Sequence, residues 1–204
     1  TPTKLIPLHV PKSELFMDGR AFVAGILTDQ GWGGDIVFHE LIQYADGTLG
    51  EKFAPEMLPP CGDPLTLTQD GDAFSGLPRD ARVRISLQPN DANSPCAIQL
   101  RSSDAPNSGF TFSFDPAQRT AAFVHPEGAR TDAAPFTETD AINAFDGPLK
   151  LDIIMVGDIF DICINESRTI IARCKGLTGD RMVIDGCTPV DIEVRPLKPP
   201  QTRT

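Results

Sequence analysis

Hydrophobic and polar residues alternate with a period of two in stretches from about residue 82 onwards. That period reads as strands with one face to a core and one to water. Val83, Ile85 and Leu87 alternate with Arg82, Arg84, Ser86 and Gln88; Ile98 and Leu100 alternate with Gln99 and Arg101. Phe110, Phe112 and Phe114 alternate with Thr111 and Ser113, and Leu149, Leu151, Ile153 and Met155 with Lys150 and Asp152. Val190, Ile192 and Val194 alternate with Asp191, Glu193 and Arg195. Phe112, Ile153 and Ile192 are therefore expected inside, and Thr111, Asp152 and Asp191 outside. Ile159 to Ile164 and Thr169 to Cys174 flank the polar stretch Asn165-Glu166-Ser167-Arg168, which predicts a hairpin. The stretch from Pro126 to Phe145 predicts a long loop with a short edge strand. Strands recur with turn chemistry between them and no amphipathic helix. The expected fold is all-β, a two-sheet antiparallel β-sandwich of jelly-roll or lectin-like type.

The first part of the chain is punctuated differently. Residues 1–14 are extended and broken by prolines. Arg20 to Thr28 and Asp35 to Gln43 predict two strands joined by Gln30-Gly31-Trp32-Gly33-Gly34, and Ala45-Asp46-Gly47 turns the second one back. The breaker run Met57-Leu58-Pro59-Pro60-Cys61-Gly62-Asp63-Pro64 marks a module boundary. It separates an N-terminal extension, residues 1–60, from a sandwich module, residues 61–204.

Charge and cysteines narrow the chemistry. The net charge is −10 with no basic cluster, which disfavours nucleic acid and anionic lipid as partners. No apolar run approaches the ~20 residues a membrane helix needs. The chain opens on Thr1 with no signal-peptide pattern, and is expected to be processed or a piece of something longer. The five cysteines form no C-x-x-C pair and have no histidine at ligand spacing, so no zinc or iron–sulfur centre and no other cofactor is expected. All five are expected to be reduced, which favours a cytoplasmic setting over a secreted one while leaving the compartment open. Asn165-Glu166-Ser167 matches a glycosylation acceptor, a three-residue pattern with a high false-positive rate.

No catalytic constellation emerges from spacing. Ser75 and Ser108 lack the turn of a nucleophilic serine, and His9, His39 and His125 form no metal-binding pair. His39-Glu40 is a neighbouring pair on a strand, where successive side chains point to opposite faces; one is expected inward and one outward. Asp70-Gly71-Asp72 lacks the glycine and glutamate of a calcium loop at the sixth and twelfth places. The candidates for a sugar platform are Trp32 and Tyr44, with His125 as a polar neighbour.

Two stretches together resemble glycoside hydrolase family 32, the invertase, inulinase and levanase family. In the first, Gly31-Trp32-Gly33-Gly34, Ile36-Val37-Phe38-His39-Glu40-Leu41, Asp46-Gly47-Thr48-Leu49 and Pro55-Glu56-Met57-Leu58 occur in order, as at the end of that family's catalytic domain. Phe38-His39 stands where the family has Pro-Arg. In the second, Leu151 to Asp158 runs into Phe160-Asp161-Ile162-Cys163-Ile164-Asn165 and then Arg168-Thr169, like the hairpin of its C-terminal sandwich; Asp161 stands where glutamate is usual. The resemblance implies that residues 1–60 end a catalytic propeller and that 61–204 form the C-terminal sandwich which braces it. The partner is then the propeller of a parent glycosidase, with carbohydrate and a homo-oligomer as further partners. The family's catalytic Asn-Asp-Pro, Arg-Asp-Pro and Glu-Cys motifs are absent. Asn90-Asp91 precedes Ala92 and Arg79-Asp80 precedes Ala81, so no catalytic residue carries over and this chain is expected to have no activity of its own. The rival reading is a freestanding carbohydrate-binding, lectin-like sandwich using Trp32, Tyr44 and His125.

Overall fold

A computed structural model describes residues 8–29, 33–91, 94–105, 108–115, 117–118, 120–124, 136–139 and 148–199. Among them there are three antiparallel sheets and no α-helix. The first sheet is a meander of β1 (Leu8–Leu15), β2 (Ala21–Thr28), β3 (Gly34–Gln43) and β4 (Leu49–Lys52), in that spatial order. The turn at Asp46, where the Asp46 carboxylate accepts from the Thr48 amide at 3.0 Å, joins β3 to β4. A single 3-10 turn, Pro55–Met57, follows.

The remaining strands build the sandwich. In chain order they are β5 (Thr68–Asp70), β6 (Ala73–Ser75), β7 (Ala81–Pro89), β8 (Cys96–Ser102), β9 (Phe110–Asp115) and β10 (Thr120–Val124). They continue as β11 (Phe136–Thr139), β12 (Leu149–Val156), β13 (Ile159–Ile164), β14 (Arg168–Arg173), β15 (Arg181–Asp185) and β16 (Cys187–Pro196). One sheet has the order β11-β10-β9-β8-β15-β6-β5, the other β14-β13-β12-β7-β16. The expected edge strand inside 126–145 is β11, which pairs with β10. The expected hairpin is β13–β14, and positive φ at Asn165 (50°) and Glu166 (51°) gives its turn the twist that matches the strands.

The period-two phases place the core. Phe110, Phe112 and Phe114 of β9 and Leu149, Leu151, Ile153 and Met155 of β12 are all buried, and their neighbours Thr111, Ser113 and Asp152 are half-buried on the other side. Phe110 stacks on Phe160 of the opposite sheet with ring centroids 4.4 Å apart, so aromatic contact ties the two layers directly. β16 departs from the expected pattern. Its pairing with β7 slips between Pro189 and Asp191, leaving Val190 opposite no partner and 65% exposed. Ile192 regains the core side opposite Ile85 but is only half-buried, because β16 is the last strand of its sheet and, among the described residues, only isolated bridges from Cys61 and Leu65 reach its outer side. The expectation that Ile192 lies fully between the sheets is thus corrected.

The hairpin β13–β14 is unlike the other strands. Ile162, Ile164, Ile170 and Ala172 enter the sandwich core, while Cys163, Thr169, Ile171 and Arg173, on the opposite face, are buried as well. The four-stranded sheet covers that second face, through Val23 and Leu27 of β2 and His39 of β3. Continuous burial of both faces is what the unbroken runs Ile162-Cys163-Ile164 and Ile170-Ile171-Ala172 require.

These phases predict a contrast within single strands. Phe112→Ala should cost about 3–5 kcal/mol and Thr111→Ala under about 1 kcal/mol in denaturant unfolding. Val190→Ala should fall within about 0.5 kcal/mol of the parent, in contrast to Val194→Ala. Equal losses at Val190 and Val194 would mean that the bulge is misplaced.

Candidate functional site

A cluster of buried polar groups lies where the four-stranded sheet crosses the β13–β14 hairpin. Strand β3 carries His39 inward, β4 carries Glu51, β13 carries Asp161 and β14 carries Thr169. His39 is 1% exposed. Its Nε2 lies 3.0 and 3.2 Å from the two Asp161 carboxylate oxygens, and its Nδ1 lies 2.9 Å from Thr169 Oγ1. The Thr169 hydroxyl has one proton and donates it to Glu51 Oε2 at 2.6 Å, so its oxygen accepts from His39 Nδ1–H. Both ring nitrogens therefore carry protons and His39 is an imidazolium held between two carboxylates. Burial by itself would push the imidazole pKa down. The charge and hydrogen bond of Asp161, and then the hydrogen bond and charge of Glu51, overcome it and hold His39 up at about 10.

Further contacts flank this centre on the same interface. Arg173 of β14, itself buried, bridges Asp35 of β3 and Asp158, the latter at 2.7 Å; Lys175 pairs with Asp29. The Glu51 amide donates to the Ser167 carbonyl at 2.9 Å, a backbone link between β4 and the hairpin turn, and Arg168 donates to the Leu49 carbonyl at 3.1 Å. The backbone at Gly50 packs so closely that a Cβ there would stand 2.6 Å from the Ser167 oxygen and 2.5 Å from the Tyr44 hydroxyl. Only glycine fits without displacing one of them.

Tyr44, expected as a stacking platform, lies at this joint, half-buried, with its hydroxyl 3.4 Å from the Ser167 carbonyl. Trp32 and His125 lie outside the described residues. His39 and Glu40 do point to opposite faces, but both are buried: on the far face Glu40 is covered by Arg20 at 3.5 Å and Lys52 at 3.3 Å. The expected outward member of the pair is therefore not solvent-facing. Sequence spacing missed Glu51, Asp161 and Thr169 as partners of His39. A signal was present nonetheless. Two of the departures from the pattern of that resemblance, histidine for arginine at 39 and aspartate for glutamate at 161, are side chains that meet.

Beside the joint a polar cleft of about 880 Å³ opens between Lys52 and Phe53 and the outer face of the five-stranded sheet. Its floor is a ladder of compensated charges. Arg82 grips Asp152 with two hydrogen bonds of 2.8 and 2.5 Å, and Glu193 is held by Arg195 and Arg84. Arg195, more than Arg84, keeps Glu193 below the usual carboxylate range, the wrong direction for a general acid. The two aspartates of the decoy dipeptides have structural partners: Asp80 accepts from the Gly157 amide at 2.8 Å, and Asp91 accepts from the Ser94 hydroxyl at 3.3 Å. Among the described residues no group of three or more His, Cys, Asp or Glu side chains is placed to hold a metal ion.

No family model matches this sequence, and no curated protein does. Solved structures do share its fold. The sucrose-6-phosphate hydrolase of Lactobacillus gasseri superposes with a TM-score of 0.72 at 16% identity, over 94% of this chain and 41% of that one. Fructan 1-exohydrolase IIa of Cichorium intybus gives 0.70 at 13% identity, over 95% of this chain and 48% of that one. A glycoside hydrolase family 32 structure from Bifidobacterium adolescentis gives 0.61 at 15% identity, over 94% and 31%. The resemblance read from the sequence thus extends to the fold, and this chain spans less than half the length of each of these proteins.

The buried imidazolium gives stability a pH signature. Its folded pKa, about 10, is raised above the ordinary 6.5, so its contribution is complete below about pH 6.5 and is lost as pH rises through about 10. Unfolding free energy should therefore fall between pH 7 and 10, and His39→Gln should flatten that part of the profile while lowering stability at pH 7. A wild-type profile as flat as the variant's would rule out a charged His39. At pH 7, Asp161→Ala should cost about 3–5 kcal/mol, the usual penalty for stranding one partner of a buried ion pair.

Proposed function

We propose that this chain is the C-terminal β-sandwich module of a family 32-type glycosidase together with the end of its catalytic propeller, and that it braces the catalytic domain without catalysing hydrolysis. Residues 1–60 contribute the propeller end and residues 61–204 the sandwich. The observation that carries this reading is that the match with a sucrose-6-phosphate hydrolase and a fructan exohydrolase covers 94% or more of the chain, and so includes most of both parts.

Bracing has a physical basis in the joint. A four-stranded meander at the end of a propeller has a free edge and two faces to bury. Here the inner face is held to the sandwich by the His39 network, by Arg173 and by the Glu51–Ser167 backbone bond. The outer face carries an exposed apolar patch beside the Glu40 ion pairs: Ile36 is 64% exposed and Phe38 41%, with half-buried Phe22 and Ile26 next to them. Another sheet of the same parent protein is the partner that such a face fits. The active site then belongs to the catalytic domain, and the carboxylates of this chain serve the joint and the surface.

Two measurements test the reading. The purified chain should release no fructose from sucrose, inulin or levan above a buffer blank; measurable release would overturn it. Ile36→Ser with Phe38→Ser should leave the melting temperature of the chain within a degree or so, since exposed positions contribute little, and should reduce self-association in light scattering. A melting temperature lowered as far as by Val23→Ala would show that the outer face is already packed within this chain.

A further inference from the structure

We propose that Cys96 and Cys187 are a redox pair, which hydrogen peroxide closes into a disulfide joining the two sheets of the sandwich. Cys96 opens β8 in the seven-stranded sheet and Cys187 opens β16 in the five-stranded sheet. The chain passes from one sheet to the other between β15 and β16 through the single residue Gly186 (φ 73°). Asp185 is paired with Ala97, so the next step of the register brings Gly186 against Cys96. A Cβ on Gly186 would stand 2.2 Å from the Pro95 oxygen and 3.2 Å from the Cys96 Cα, which leaves room for glycine alone. The corner therefore presses the backbone of residues 185–187 onto the start of β8. Both residues belong to the same buried core, at 1% and 7% exposure, and the Cys187 thiol donates to the Asp185 carbonyl at 3.5 Å, on the corner that packs against Cys96.

The electrostatics divide the labour. The hydrogen bond from Cys187 lowers the Cys96 pKa, whereas Cys187 is pushed up by the same contact and by burial. Burial also raises Cys163 to about 12 and Cys174 to about 11, which leaves them poor nucleophiles. The Cys96 thiolate attacks one peroxide oxygen; the S–O bond forms, the O–O bond breaks, and the departing hydroxide takes up the thiol proton as water. Cys187 then attacks the sulfenic sulfur; the S–S bond forms, the S–O bond breaks, and a second water leaves with the Cys187 proton. Two electrons pass from the two thiols to the peroxide. The closed loop spans residues 97–186, a long segment of the sandwich, so the cross-link restricts the unfolded chain strongly.

The test treats the folded chain with hydrogen peroxide, quenches with catalase, alkylates under denaturing conditions and maps the peptides. A Cys96–Cys187 cross-linked peptide, reversed by dithiothreitol, is expected, with free thiols falling from five towards three and a melting temperature above that of the reduced protein. Absence of that peptide, whether all thiols survive or others are lost, would overturn the proposal. In Cys187→Ser, Cys96 should stop at the sulfenic acid and be trapped by dimedone. Should that variant fail to fold, the peptide map of the wild-type chain decides alone.

Discussion

A hairpin buried on both faces has to be covered twice, and the rest of this structure is arranged around that requirement. The sandwich covers one face of β13–β14 with hydrocarbon. The four-stranded sheet covers the other, and there the strands bring charge into the interior: His39, Glu51, Asp161 and Arg173. Taking charges out of water is costly unless each is paired and hydrogen-bonded. At the centre of the joint the accounting closes, because the imidazolium donates twice, the threonine hydroxyl accepts and donates once each, and both carboxylates receive a proton donor. The same completeness demands a particular docking geometry. A shift of an ångström would leave one of these groups buried without its partner, so the network sets how the four-stranded sheet sits on the sandwich.

That joint also organises the surface beside it. The cleft between Lys52 and the five-stranded sheet exists because the small sheet docks over only one end of the larger one, leaving the outer residues of β7, β12 and β16 open. Arginine and carboxylate alternate there across strands, so the charges largely cancel in place. Such a floor keeps an exposed sheet face hydrated.

Much of the fold is local and was legible. Phe110, Phe112 and Phe114 mark one inner face, and Leu149, Leu151, Ile153 and Met155 another, because a strand exposes successive side chains to opposite environments whatever its neighbours are. Turn residues located the β13–β14 hairpin and the reversal at Asp46. The limits of this reading are equally physical. A bulge at Val190 inserts one residue and breaks the alternation without any change in composition, so Val190 and Ile192 read as core when one is exposed and the other half-covered. The runs Ile162-Cys163-Ile164 and Ile170-Ile171-Ala172 did carry a mark of two-sided burial, an apolar stretch without alternation, though not the identity of what covers the second face.

The candidate site divides along the same line. Sequence alone determined the phases of β7, β9 and β12, the all-β class, the absence of the family's catalytic motifs from these 204 residues, and the unusual residues at 39 and 161. It placed His39 and Glu40 on opposite faces of one strand. Only the tertiary structure decided that His39 meets Asp161, 122 positions along the chain, and that Glu40 is itself buried beneath Arg20 and Lys52. Likewise it alone brought Cys96 beside Cys187 at a corner between sheets. Periodicity records whether a side chain faces water or core, a property of the residue and its immediate neighbours. Pairing between distant strands depends on how the sheets stack, and that is settled by the burial of all their faces together.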